Sequence, residues 1–316
     1  MRIARSIEEA AAFEPCVLTI GKFDGVHAGH RALLREVVAL AREKNLRAAA
    51  MTFDPHPACV VAPERAPKPL LPLEERCELM RELGMEQLFI LHFTHEIARL
   101  SAEEFAARFI RGVLHAQVVL VGENFRFGHK QAGDPALLKR LGEREGFETR
   151  VAASVKRRGI VVSTSAVRSR VDAGDVSMAC RLLERPYALS GEVVHGFGIG
   201  SKQTVPTLNL RPTAEVMPRN GVYITRTRDL DSNRRWNSIT NIGFRPTFGG
   251  DELSIETHLL DPLEGSTPAR IRLEFLRRVR DERKFPSPDA LKAQILADVA
   301  QAQKYFRRTN AAALRG

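Results

Sequence analysis

The chain has 316 residues, 44% of them hydrophobic, and a formal net charge of +10. That length and apolar content fit two globular domains and exclude a disordered chain, and no apolar run approaches the 18 residues of a membrane span. The basic excess is spread out: Lys+Arg number 28 against 24 Asp+Glu through residue 185 and 20 against 14 beyond it, and the densest run, Arg277 to Lys284, is broken by Asp281 and Glu282, which reads as a solvated surface and not a nucleic-acid footprint.

In chain order, CVLTIG (Cys16 to Gly21) reads as a buried strand, followed by a helix from near His30 to near Lys44. LRAAAMTF (Leu46 to Phe53) is a second strand, LEERCELMREL (Leu73 to Leu83) a helix and QLFILHF (Gln87 to Phe93) a third strand. Ser101 and Glu104 form a capping box for a helix running to about Leu114. QVVLVG (Gln117 to Gly122) is a fourth strand and PALLKRLGERE (Pro135 to Glu145) another helix. Strands alternating with helices predict an α/β, doubly wound parallel sheet, with ligands beyond the carboxyl ends of the strands.

After about Arg185 the texture changes to short β-branched segments broken by Gly and Pro: YALSGEVVHG, TLNLRP, NGVYITRT, WNSITNIG, LSIETHLL and ARIRLEFL. These predict an antiparallel β-barrel, closed off by a helix that starts at Ser287-Pro288. The expected domains are therefore residues 1–185 and 186–316. The first residues carry acids and bases without an apolar core, so no signal peptide is expected. Cys16, Cys59, Cys77 and Cys180 are too scattered for a thiolate zinc site or a disulfide framework, and a cytoplasmic location is expected.

The string Gly21-Lys22-Phe23-Asp24-Gly25-Val26-His27-Ala28-Gly29-His30 follows the first strand and enters a helix. Its glycines let the backbone turn tightly against a ligand, and the helix N-terminus suits phosphate. His27 and His30, one turn apart, can donate to triphosphate oxygens and to a leaving pyrophosphate. His92 and His95 share the spacing without the glycines and read as ordinary loop residues. In Val162-Ser163-Thr164-Ser165-Ala166-Val167-Arg168, Thr164 or Ser165 can cap a helix whose Arg168 meets phosphate with a planar fork.

The glycine/histidine string resembles the nucleotidyltransferase motif of the bacterial bifunctional riboflavin kinase/FAD synthetases. Thr52-Phe53-Asp54-Pro55-His56-Pro57, Gly122-Glu123-Asn124-Phe125-Arg126-Phe127-Gly128 and the 162–168 segment resemble three further motifs of that family. The resemblance implies that His27, His30 and Arg168 act in catalysis. It also implies that Gly21, Phe23, Asp24, Gly25, Gly29, Asn124, Ser163, Thr164 and Ser165 bind nucleotide or flavin. The implied reaction is adenylyl transfer from ATP to FMN, releasing pyrophosphate; its nucleophile is an already ionised phosphate, so no general base is required. Asp24 and Asp54 suit either loop orientation or capping.

In the second part, Pro206-Thr207-Leu208-Asn209 resembles the family's P-T-x-N motif. The resemblance assigns Thr207 and Asn209 to magnesium, and Gly200 and Lys202 to the nucleotide. Riboflavin offers a hydroxyl that must lose its proton, which calls for a carboxylate base, and Glu256 in Ser254-Ile255-Glu256-Thr257-His258 matches the family's catalytic glutamate. Asn241 to Thr247 resembles the loop framing that site. The family pattern G-R-x-L-G-x-P-T is departed from: Ser201 replaces the arginine and Thr204 a glycine.

The implied activity is phosphorylation of riboflavin to FMN and adenylylation of FMN to FAD. The small-molecule partners are riboflavin, FMN and ATP with Mg2+, and neither nucleic acid nor membrane is expected as a partner. An FAD synthetase with an impaired kinase half and a flavin-sensing or nucleic-acid-binding regulator stay open as alternatives, and the oligomeric state is unspecified.

Overall fold

The computed structural model describes residues 1–194, 207–213, 216–247 and 250–313. The chain divides into two compact units, Met1–Thr164 and Ser165–Gly316.

The first unit runs β1 (Arg2–Ala4), α1 (Ile7–Ala10), β2 (Cys16–Ile20), α2 (Ala28–Lys44), β3 (Arg47–Asp54), α3 (Pro57–Val61), α4 (Leu73–Glu82), β4 (Gln87–His92), α5 (His95–Arg99), α6 (Ala102–Phe105), β5 (Ala116–Gly122), α7 (Pro135–Glu145) and β6 (Glu148–Ala152), then a small hairpin, β7 (Lys156–Arg157) and β8 (Ile160–Val161). The α6 helix opens on the expected capping box, Ser101 Oγ accepting from Glu104 N and Glu104 Oε2 from Ser101 N, and continues as wider π-type turns over Ala106–Val113. β1 to β6 form one sheet in the order β1-β4-β3-β2-β5-β6, parallel at every pairing.

Strand periodicity explains how this sheet is buried on both sides. Leu18, Met51, Phe89 and Val119 point to one face with Phe105 and Phe109. Val17, Ala50, Leu88 and Val118 point to the other, under Leu34, Val37 and Met80 of α2 and α4. The strand order reverses at β2: β3 and β4 extend from one side of it, β5 and β6 from the other. A crevice beyond the carboxyl end of β2 follows from that reversal.

In the second unit α8 (Thr164–Asp172), which starts on the last residue of the first, and α9 (Val176–Leu183) precede β9 (Tyr187–Val194), β10 (Thr207–Pro212), β11 (Gly221–Asp229), β12 (Arg235–Thr247), β13 (Gly250–Leu259), β14 (Arg270–Arg280) and α10 (Pro288–Ala313). All six strands expected from sequence are present, and they close into an antiparallel barrel ordered β10-β13-β12-β11-β14-β9. Inside stand Tyr223 and Phe275, edge to face at 5.3 Å. Beside them runs a buried hydroxyl chain in which Thr225 bonds Ser238 (2.8 Å) and Thr240 (2.7 Å), while Thr227 reaches Ser238 and Thr240 reaches Thr257. Each hydroxyl of this chain of contacts thus has a partner, as a low-dielectric interior requires. Outside, Ala302 and Phe306 of α10 cover Val222, Ile224 and Ile239, and Arg280 clamps Asp298 of α10 with two nitrogens at 2.7–3.2 Å.

Candidate functional site

Three adjacent strands, β3, β2 and β5, carry three of the sequence motifs at their carboxyl ends. The Thr52-to-Pro57 segment leaves β3, the Gly21-to-His30 loop leaves β2 at the order reversal, and the Gly122-to-Gly128 segment leaves β5. The sheet therefore gathers stretches far apart in sequence around one crevice.

Within the Gly21-to-His30 loop, Phe23, Gly25 and Val26 have φ of 48°, 79° and 37°, and a left-handed Val is rare enough to require support from its surroundings. His27 is the N-cap of α2: its Nδ1 accepts the His30 N–H at 3.2 Å. A ring nitrogen that accepts carries no proton, so the neutral ring holds its proton on Nε2 as a donor. The His27 and His30 rings are stacked 3.6 Å apart, with Phe23 edge-on to His30 at 5.3 Å. A Cβ at Gly29 would approach the His27 ring to 3.2 Å, so glycine leaves the imidazole its place.

Asp24 is buried, and its Oδ1 accepts from Leu70 N at 2.8 Å, so its carboxylate ties two loops together. Thr164 is the first residue of α8, and its hydroxyl donates to the Asp24 carbonyl at 3.2 Å. That bond replaces the helix-capping role expected for Thr164 and joins the 162–168 motif to the glycine/histidine loop. Ser163 precedes it, Ser165 is exposed, and Arg168 follows one turn along α8. Asn124 is exposed after β5, where Phe125 and Phe127 stack at 5.4 Å. His92 closes β4, and His95 opens α5 behind its Thr94 cap, so neither is a loop residue.

Sequence reasoning missed Arg76. It looks like part of the polar stripe of α4, yet its Nη1 donates to Lys22 O (2.5 Å) and Thr52 Oγ1 (3.3 Å), and Thr52 Oγ1 itself donates to Lys22 O at 3.3 Å. Burial pushes the guanidinium pKa down, opposed by the charges of Asp24 and Asp54.

In the barrel, Thr207 and Asn209 lie two apart on β10 and so share a face. Across the strands Asn209 pairs with Glu256, and Glu256 with Asn241, which sets one carboxylate between two amides in a row. The next row holds Thr207 opposite His258, whose Nδ1 is hydrogen-bonded to Thr207 Oγ1 at 2.8 Å. Ser254 Oγ donates to Glu256 Oε1 at 3.0 Å. Burial lowers the His258 pKa, and the charge of Glu256 works against that. A threonine hydroxyl and an asparagine amide beside a carboxylate are hard oxygen donors of the kind a small divalent cation accepts. Gly200, Ser201, Lys202 and Thr204 lie outside the described residues. Two rows from Glu256, about 13 Å along the strand, a cavity of about 310 Å³ is lined by Asn237, Leu260, Asp261, Gln303, Phe306 and Arg307. Its lining is mostly polar, with Phe306 buried beneath it among Val222, Ile224 and Ile239.

Comparison with known proteins matches both parts of the chain. The FAD synthetase family matches residues 9–166, and the riboflavin kinase family matches residues 183–306. The bifunctional riboflavin kinase/FMN adenylyltransferase of Escherichia coli (strain K12) is 35% identical, with 99% of this chain and 100% of that protein covered. The proteins of the same name from Pseudomonas fluorescens and Haemophilus influenzae are 36% and 33% identical, covering 91% and 97% of this chain and 92% and 99% of theirs. A crystal structure described as a macrolide-efflux protein from Streptococcus pneumoniae superposes with a TM-score of 0.85 at 27% identity, covering 95% of this chain and 98% of that one. Among the described residues of this chain, no helix is long and apolar enough to cross a membrane.

Proposed function

Since this chain belongs to the bifunctional riboflavin kinase/FMN adenylyltransferase family, making FMN from riboflavin and then FAD from FMN, we propose how its residues divide the two reactions. The observation that carries the first assignment is the convergence of three motifs at the carboxyl ends of β3, β2 and β5.

In the amino-terminal part, ATP phosphates lie over the Gly21-to-Gly29 turn at the start of α2, where free backbone N–H groups and the helix dipole face them. His27 Nε2–H and His30 donate to the phosphates, and Arg168 is assigned to the same phosphates. Phe23, Gly25 and Gly29 shape this bed, Asp24 holds it against residue 70, and Ser163, Thr164 and Ser165 are assigned to nucleotide binding. Asn124 binds at the flavin end. An FMN phosphate oxygen bonds to the α-phosphorus of ATP as the bond to the bridging oxygen of pyrophosphate breaks; that nucleophile is already ionised, so positioning and charge neutralisation suffice.

In the barrel, Glu256 takes the proton of the riboflavin 5′-hydroxyl as that oxygen attacks the γ-phosphorus of ATP and the bond to the β,γ-bridging oxygen breaks, releasing ADP, with Asn209 and Asn241 fixing the carboxylate's surroundings. The isoalloxazine occupies the cavity beside α10, and the ribityl chain reaches back along the strand to Glu256. Thr207 and Asn209 are the residues that would hold Mg2+, which when bound neutralises phosphate charge; Gly200 and Lys202 are assigned to the nucleotide. The functional boundary falls near residue 185, and ATP, riboflavin and FMN are the partners. Four free thiols support a reducing, cytoplasmic setting.

The test is a chromatographic time course with ATP and magnesium, started once from riboflavin and once from FMN. FMN that appears and gives way to FAD is the expected result, and it also shows that Ser201 and Thr204 are tolerated. FAD from FMN with nothing from riboflavin would remove the kinase assignments.

A further inference from the structure

We infer that Arg76 is a positioning residue for adenylyl transfer, holding the nucleotide loop in shape from beneath without touching substrate. Four observations carry this. Its Nη1 donates at once to the Lys22 carbonyl, inside the glycine/histidine loop, and to the hydroxyl of Thr52 at the end of the neighbouring strand β3. Thr52 donates to the same Lys22 carbonyl, so arginine, strand and loop form a closed triangle. The loop just beyond Lys22 carries three residues in succession or near it with positive φ, Phe23, Gly25 and Val26. A backbone of that kind persists only where its surroundings over-determine it.

The remaining observation concerns cost. The residue is half-buried, enough for desolvation to lower the guanidinium pKa, and its Nε is buried without a hydrogen-bond partner in the structure. Burying a cation and leaving a donor unmade both work against stability. Stability alone therefore does not account for an arginine here. A charged donor does account for it where a loop carbonyl must be fixed, because charge-assisted bonds are the strong ones. The loop it fixes runs straight into His27, the cap of α2. A loop displaced by about 1 Å would cost on the order of a hundredfold in rate.

This rests on the adenylyltransferase reading of the first unit, which the unmodified chain's conversion of FMN to FAD tests separately. The experiment uses the full chain with Arg76→Met, Arg76→Lys, Thr52→Val and the Arg76→Met/Thr52→Val double variant, with riboflavin phosphorylation in the same molecule as the folding control. Arg76→Met is expected to lower kcat/KM for FMN adenylylation tenfold or more, with a raised KM for ATP, while riboflavin phosphorylation stays within twofold. Because Arg76 and Thr52 hold one carbonyl, the double variant is expected to be no more than threefold worse than Arg76→Met, the non-additivity of a shared partner. Multiplying single-variant losses, or an Arg76→Met KM and kcat within twofold of the unmodified chain, would overturn the inference. Should Arg76→Met fail to fold, Arg76→Lys decides: a raised KM for ATP sustains the role, and an unchanged one ends it.

Discussion

His27 is assigned two jobs with two nitrogens: Nδ1 accepts the His30 N–H and caps α2, and Nε2–H is proposed to donate to phosphate. The two separate experimentally, because asparagine is a good N-cap but cannot put a donor where Nε2 stands. His27→Asn should keep the melting temperature near that of the unmodified chain yet reduce FMN adenylylation about a hundredfold, the usual loss of one preorganised donor. His27→Ala should lose activity and also about 1 kcal/mol of stability, readable by denaturant unfolding. Equal stability of the two variants would show that the cap contributes nothing. In the barrel, Glu256→Gln keeps the shape and removes the base; riboflavin phosphorylation should fall by about 10² to 10⁴, with FMN adenylylation unchanged. Residues with a chemical signature were legible in the sequence at this scale: the histidines, Thr207, Asn209 and Glu256. Arg76 was not, because one arginine among the charged residues of an amphipathic helix carries no mark of facing inward. The Asn209–Glu256–Asn241 row depends on strand register, which sequence leaves open.

At the scale of elements, C-terminal α10 does more than close the barrel. Its Gln303, Phe306 and Arg307 form one wall of the cavity, and it is fastened by Arg280 on Asp298, whose side chain is 6% exposed. Removing one member of so buried a pair leaves the other charge stranded, at about 3 kcal/mol. Asp298→Ala should therefore lower the unfolding temperature and raise the KM for riboflavin, leaving FMN adenylylation intact. A KM for riboflavin that does not move would detach α10 from the flavin site. Strands with clear apolar patterns were all legible in the sequence: CVLTI is buried throughout, and the six barrel segments are β-branched between Gly and Pro breaks. The edge strands of the sheet were not. β1 has three residues, and β6 (ETRVA) has no buried residue, so neither offers the alternation or apolar run that marks a strand. The doubly wound topology followed from the element order, whereas the reversal at β2, which locates the crevice, needed the pairing of β2 with β5.

At the scale of the whole molecule, two chemistries with different demands sit on two different folds. Adenylyl transfer to an ionised phosphate needs only a bed of donors, which the turn and helix start beyond a parallel strand provide. Phosphorylation of a hydroxyl needs a base, the role proposed for Glu256, which pairs with an asparagine on each neighbouring strand. The residues proposed for the two reactions do not overlap, so the two sites have no need to be on the same polypeptide. The most direct measurement mixes the His30→Ala chain with the Glu256→Gln chain, supplies riboflavin, ATP and magnesium, and follows FMN and FAD by chromatography, beside each variant alone. The account predicts FMN without FAD from His30→Ala, little product from Glu256→Gln, and FAD from the mixture. A folded variant that abolishes both reactions, or a mixture that makes no FAD, would contradict it.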